Sequence, residues 1–230
     1  MSKIPFLTKL LRFIGIVLMG LTGGFTLLGG IGTSCAALAP TNWESLAPLA
    51  PYQWLYILFV LIGIALGILG IRATIMLVRG TEKSYRDALY VLIAGVVIGI
   101  IHIAASRALR GKSMPVDAVV YITILTFIVF LIFRIPSIWQ IINFTKGKTK
   151  SNQTAGGITA ILLGLLTLTI QYTMSSTHTW NGVNYANAFN VWMTISGLMC
   201  LLLGLGLTIQ ALGLKTRVNQ AVEASKRLLS

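Results

Sequence analysis

Six long apolar runs, separated by short polar segments, divide this sequence. They lie at about residues 13–33, 54–78, 88–106, 116–133, 155–174 and 189–213. A helix needs roughly 20 mostly apolar residues to cross the hydrocarbon core of a bilayer. The pattern therefore predicts an all-α integral membrane protein, a bundle of about six transmembrane helices that forms a single polytopic domain over residues 1–230.

Composition excludes a water-soluble globule. Hydrophobic residues make up 56% of the chain and charged residues only 10%, whereas soluble domains carry roughly 25% charged residues. So few polar side chains cannot cover a water-facing surface, and the natural solvent of this chain is lipid.

The positions of Lys and Arg predict the orientation. Of the 18 basic residues, all except Arg107, Arg110 and Lys112 lie before the first run, in or beside the second and fourth connections, or after the last run. Short cytoplasmic loops carry the excess of basic residues, so both termini are predicted to be cytoplasmic, in the bacterial cytoplasmic membrane. The net charge of +13 then serves orientation and attraction to anionic lipid headgroups, and nucleic acid is not expected as a partner.

The three exceptions share one predicted outer loop, within the stretch HIAASRALRGKSMPVD at residues 102–117. One interpretation is helix capping. Arg107, Arg110 and Lys112 would offset the partial negative charge at the carboxyl end of the third span, and Gly111 suits the left-handed position after that helix.

The same interpretation extends to the start of the fourth span. Ser113 is predicted to cap this helix with its side chain, and Pro115 and Asp117 are expected in the first turn, where proline and an anion are favoured. The second interpretation is a binding site, in which His102, Arg107, Arg110 and Lys112 attract an anionic ligand, a lipid headgroup or a partner to the outer face.

Glycines recur at spacings typical of packed membrane helices, because a missing side chain lets two backbones approach. The predicted packing pairs are Gly20 with Gly24, Gly63 with Gly67, and Gly95 with Gly99.

A second pattern in the sequence indicates an internal repeat. Arg72 and Arg134 each end an apolar run before a basic loop, so spans two and three are expected to be duplicated in spans four and five.

Two further segments have amphipathic character. Residues 135–144 are predicted to lie along the inner membrane interface after a break at Pro136. Residues 214–230 are predicted to form a basic amphipathic cytoplasmic tail that rests on anionic lipid.

Catalytic and transport motifs are not found. The five acidic residues lie in loops, tails or helix ends, whereas proton and cation relays in membranes use ionisable groups inside the spans. We therefore expect no enzyme activity, no cofactor and no metal site. The leading prediction is a non-catalytic subunit or scaffold packed with other membrane proteins. The alternative is a small permease or channel for a neutral or anionic solute.

Overall fold

The computed structural model describes residues 6–142, 144, 149–175, 179–180, 182–184, 187 and 189–213, with the side chains of residues 35, 180 and 183 excepted. The chain divides into two compact units, Met1–Gly147 and Lys148–Ser230. Within the described part of the chain, six helices are long and apolar enough to cross a membrane. The predicted helical class and the predicted number of long apolar helices are thus confirmed, and these helices are those expected of an integral membrane protein. Whether both units act as one domain stays a prediction.

Unit 1 is a ring of four long helices with shorter elements at both ends. In this ring α1 packs on α3 and α5, and α4 packs on the other side of the same two helices. Its elements are α1 (Phe6–Gly32), α2 (Ser34–Leu38), two 3₁₀ turns (Pro40–Asn42 and Ala47–Tyr52), α3 (Gln53–Arg79), α4 (Ser84–Arg110), α5 (Val116–Phe133) and α6 (Pro136–Ile142).

Unit 2 is a pair of long helices joined by a segment that contains a short antiparallel β pair. Its described elements are α7 (Lys150–Thr173), β1 (Thr179–Trp180), β2 (Val183–Asn184) and α8 (Asn190–Leu212). The two helices pack closely on each other. The predicted amphipathic tail at 214–230 lies outside the described residues.

Most helices are longer than the apolar runs that predicted them. For example, α4 begins at Ser84 and ends at Arg110, whereas its apolar run covers residues 88–106. Basic and polar residues continue the helix beyond the apolar segment because the backbone hydrogen-bonds within the helix whatever the solvent. The predicted break at Pro136 is confirmed. There α5 ends at Phe133, and proline occupies the first position of α6, where its missing N–H is not needed.

Glycines bring α1 and α3 into backbone contact. A methyl group placed on Gly23 would lie 2.8 Å from the carbonyl carbon of Gly70, and one on Gly30 would lie 2.8 Å from the amide nitrogen of Ile64. A methyl group on Gly63 would in turn meet the Cα of Gly30 at 3.2 Å. These distances leave no space for a side chain, so the two helices pack backbone to backbone.

The helices of unit 2 close in the same manner. A methyl group on Gly157 would lie 2.8 Å from the carbonyl oxygen of Gly204, and one on Gly164 would lie 2.7 Å from that of Gly197. In lipid no hydrophobic effect drives helices together, and the close approach of the backbones stabilises their association through van der Waals packing instead. We call these two contacts the glycine seams, α1/α3 in unit 1 and α7/α8 in unit 2.

The two glycine seams have the same register along the chain. Four glycines of the first seam have a counterpart in the second at a constant separation of 134 residues, whereas the position that corresponds to Gly67 is Leu201. Thr74 and Thr208, at that same separation, both donate to the carbonyl oxygen of the glycine four residues earlier, at 2.9 and 2.8 Å. The glycine pairs are Gly23 and Gly157, Gly30 and Gly164, Gly63 and Gly197, and Gly70 and Gly204. The α7/α8 pair therefore repeats the α1/α3 pair.

This repeat differs from the predicted one. Spans four and five correspond to α5 and α7, which belong to different compact units, so the expected duplication of spans two and three in spans four and five is wrong. The predicted packing pair Gly63 and Gly67 is confirmed, since methyl groups on them would meet Gly30 and Leu27 of α1. The glycines shared by both seams are instead seven residues apart, because two helical turns return a residue to the same stripe when helices cross at a small angle. Gly95 and Gly99 meet the side chains of Thr123 and Val120.

Candidate functional site

The connection between α4 and α5 carries the residues in which the sequence indicated function. The last turn of α4 contains Arg107 and Arg110, and Gly111 follows in the left-handed conformation with φ +68°. The Gly111 amide donates to the carbonyl oxygen of Arg107 at 2.9 Å. The predicted glycine cap is confirmed, and it turns the chain sharply toward α5.

Arg107 spans this turn and binds the start of α5. Its Nη2 donates to Oδ1 of Asp117 at 3.2 Å, and its Nε donates to Oγ of Ser113 at 2.9 Å. The Ser113 hydroxyl donates in turn to the Asp117 carboxylate, 2.7 Å from Oδ2. Asp117 is only 6% exposed, so the guanidinium and the hydroxyl together compensate a carboxylate that has left water.

The role predicted for Ser113 is wrong in one respect. Its side chain does not cap α5, since Pro115 occupies the N-cap position and the Ser113 hydroxyl oxygen accepts from Nε of Arg107 instead of from a backbone amide of the helix. Instead the Ser113 carbonyl oxygen accepts from the amide of Val116 at 2.9 Å. Asp117 lies in the first turn as predicted, and Pro115 directly precedes the helix.

The other two cations of this turn are used differently. Arg110 donates through Nη2 to the carbonyl oxygen of Met114 at 2.8 Å and so closes the turn on itself. Lys112 is exposed, and within the described part of the chain it has no hydrogen-bond or ion-pair partner. Of the three cations, Arg107 forms an ion pair, Arg110 binds a backbone carbonyl group, and Lys112 is an exposed surface charge.

His102 lies apart from this turn, in an aromatic cluster. Its ring stacks on Phe59 with centroids 4.2 Å apart and an interplanar angle of 15°, and it meets the edge of Tyr56 at 5.6 Å. The Tyr56 hydroxyl lies 2.9 Å from Oγ of Ser106. With 8% of His102 exposed, the imidazole is part of the packed interior and does not share an open site with the cations.

A compact cap covers this aromatic cluster. It is formed by α2 and the 3₁₀ turns, residues 34–52, whose Ala37 and Leu49 are fully buried against Tyr56 and Phe59. This end of unit 1, which includes the cap and the α4–α5 turn, is called the loop end below. The opposite end, where α1 begins, is called the N-terminal end.

The N-terminal end holds a buried cation that sequence reasoning counted only as an orientation signal. Arg12 is 1% exposed, and its Nε donates to the carbonyl oxygen of Ile142 at the end of α6. One turn further along α1, a methyl group on Gly15 would meet the rings of Phe133 and Phe144. The only signal in the sequence was an arginine close to the edge of an apolar run, which does not distinguish a buried cation from a surface one.

Aromatic rings enclose the same end. Tyr85 donates its hydroxyl hydrogen to the carbonyl oxygen of Phe130 and stacks on that residue's ring. Trp139 of α6 meets Tyr85 edge-on at 4.6 Å, and the Arg134 guanidinium lies over the Trp139 ring at 5.5 Å from its centroid. Through these contacts α6 packs against the start of α4 within unit 1.

Among the residues that the structure describes, no group of three His, Cys, Asp or Glu side chains could hold a metal ion. The contacts at both ends of unit 1 join helices to each other and to short capping segments. Comparison of the chain with protein-family models, with curated proteins and with solved structures finds no match.

Proposed function

We propose that this chain is a non-catalytic, multi-pass membrane subunit or scaffold that packs with other membrane proteins. The observation that carries the proposal is the pair of glycine seams, in which four helices meet backbone to backbone. Polar side chains reinforce this packing by pairing between helices. Gln153 of α7, for instance, donates to Gln210 of α8 at 2.6 Å. Such contacts favour a rigid helical body whose interior groups are used for packing.

In this proposal the N-terminal end of unit 1 faces the cytoplasm of a bacterium, as does the carboxyl end of the chain. Support comes from the basic residues Arg79, Lys83 and Arg86, which lie where α3 meets α4 at that end. The anionic headgroups of the inner leaflet attract such a cluster.

The orientation can be measured with single cysteines. Glu44 and Lys83 are both exposed and lie at opposite ends of unit 1. In a background with both native cysteines replaced by serine, Glu44→Cys should react with a membrane-impermeant maleimide in intact cells. Lys83→Cys should react only after permeabilisation. Labelling of Lys83→Cys alone in intact cells would show the opposite orientation.

The alternative function is a small permease or channel for a neutral or anionic solute. One observation favours it, a group of threonines in the interior of unit 1, which includes Thr22 and Thr126 with their hydroxyl oxygens 2.7 Å apart. Hydroxyl groups inside a helical bundle are able to line a polar path, although they more often bond a helix backbone or a neighbouring helix.

Reconstitution separates the two functions. The purified chain in liposomes should show no uptake above protein-free liposomes for glycerol, urea, chloride or phosphate. Cross-linking in native membranes should join the chain to another membrane protein, and the same complex should survive mild detergent. Saturable uptake of any of these solutes by the purified chain alone would contradict the scaffold proposal and favour a permease.

A further inference from the structure

A small cavity lies among the four long helices of unit 1. Its volume is about 10 Å³. It exists because glycines of α1, α3 and α4 place no side chains there. Its lining includes three threonines and three glycines: Thr22, Thr26, Thr123, Gly23, Gly70 and Gly95.

Two of the lining threonines, Thr22 and Thr123, have hydroxyl oxygens that are able to accept a hydrogen bond. Thr126 donates its hydroxyl hydrogen to the carbonyl oxygen of Ile122 at 2.8 Å. Thr22 must therefore be the donor in its 2.7 Å contact with Thr126, since each hydroxyl has one hydrogen. Thr123 likewise donates to the carbonyl oxygen of Val119 at 2.7 Å. The oxygens of Thr22 and Thr123 are thus left as acceptors.

Thr26 differs from most threonines of these spans. Thr33, Thr74 and Thr159 each donate to the carbonyl oxygen four residues earlier, the usual solution for a hydroxyl in a membrane helix. Among the described residues the Thr26 hydroxyl has no hydrogen-bond partner, and this side chain lines the cavity. A hydroxyl without a partner in apolar surroundings is unfavourable, and the hydrogen of the half-buried Thr26 is free to donate to an acceptor in the cavity.

We propose that this cavity binds one water molecule, which accepts a hydrogen bond from Thr26 and donates to Thr22 and Thr123. The volume lies at the lower limit for one water, roughly 10–15 Å³, and three partners are the typical number for a buried water. An apolar occupant would leave Thr26 unpaired, and a larger solute would not fit. The water links α1 to α5 beside the direct contact of Thr22 with Thr126. This site is independent of the proposed scaffold function.

Water-edited solid-state NMR on the full chain in lipid bilayers tests the site without any mutation. Magnetisation from water should reach Thr26 and Thr123 at least threefold faster than Thr159 and Thr167. These two controls are buried threonines whose hydroxyls bond their own helix. Transfer to Thr26 as slow as to Thr159 would overturn the proposal.

A valine substitution tests the role of Thr26. Thr26→Val keeps the shape of the side chain and removes the hydroxyl, so the fast transfer to Thr123 should fall at least threefold. Unchanged transfer to Thr123 in this variant would show that Thr26 does not hold the water, and the three-partner site would then be wrong. Far-UV circular dichroism checks that the variant retains its helices.

Discussion

Replacing Gly204 with alanine is expected to loosen the α7/α8 seam, whereas the same substitution at Gly206 is not. A methyl group on Gly204 would lie 2.6 Å from the carbonyl oxygen of Gly157 and 2.8 Å from the amide nitrogen of Ile161. Both atoms belong to the backbone of α7 and cannot move aside singly, so the helices must separate. Forcing extra volume into a packed interface costs about 1–3 kcal/mol.

Gly206 provides a matched control in the same helix. A methyl group there meets nothing within 4 Å, and alanine is a better helix former than glycine by up to about 1 kcal/mol. Gly206→Ala should therefore leave the free energy of unfolding unchanged or raise it slightly. Titration with SDS in mixed micelles, followed by circular dichroism, measures both variants.

Amide hydrogen exchange shows where the effect lies. Gly204→Ala should speed exchange in α7 and α8, and Gly70→Ala, its counterpart in the repeat, should speed exchange in α1 and α3 of unit 1. Equal destabilisation by Gly204→Ala and Gly206→Ala would contradict the seam.

The three cations of the α4–α5 turn are expected to differ in their effect on stability. Arg107→Gln removes the cation from a carboxylate that is 6% exposed, and the free energy of unfolding should fall by about 1–3 kcal/mol. Arg110→Gln removes one hydrogen bond to the Met114 carbonyl oxygen, with a loss of about 0.5–1.5 kcal/mol. Lys112→Gln alters only an exposed charge and should change stability by less than about 0.5 kcal/mol.

A double variant isolates the ion pair. Once Asp117→Asn has removed the buried charge, a further Arg107→Gln should cost less than it does alone, because no carboxylate then remains uncompensated. If Lys112→Gln proved as destabilising as Arg107→Gln, the assignment of roles within the turn would be wrong. If all three single variants folded normally but lost a partner or an anionic lipid, the binding interpretation of His102 and the cations would replace capping as their main role.

Much of this fold could be predicted because a membrane imposes strong local rules. Each span must be long, apolar and helical so that its backbone polar groups are satisfied in lipid, and these requirements are visible in any window of the sequence. The break before Pro136 and the glycine cap at Gly111 were also predictable, since proline and left-handed glycine act through local backbone geometry.

The candidate site was predictable only in part. The sequence placed Arg107, Gly111 and Asp117 at a helix–turn–helix connection, because their spacing suits a helix end followed by a helix start. It did not indicate that Arg107 reaches Asp117, or that Ser113 serves this pair instead of the helix. Those contacts depend on how α4 and α5 are oriented across the turn.

Which helices pack together was decided by tertiary structure alone. Every face of an apolar helix is compatible with contact to lipid, so hydrophobic periodicity does not show which face packs against a neighbouring helix. A glycine in a seam therefore cannot be distinguished, from the sequence, from a glycine on a lipid-facing surface. Gly204 and Gly206 differ in this way although they are two residues apart. The sequence by itself determined six helices that are long and apolar enough to cross a membrane, because that follows from solvent preference. The seams, the repeat of α1/α3 in α7/α8, and the burial of Arg12 and His102 depend on the faces that the folded helices turn toward each other.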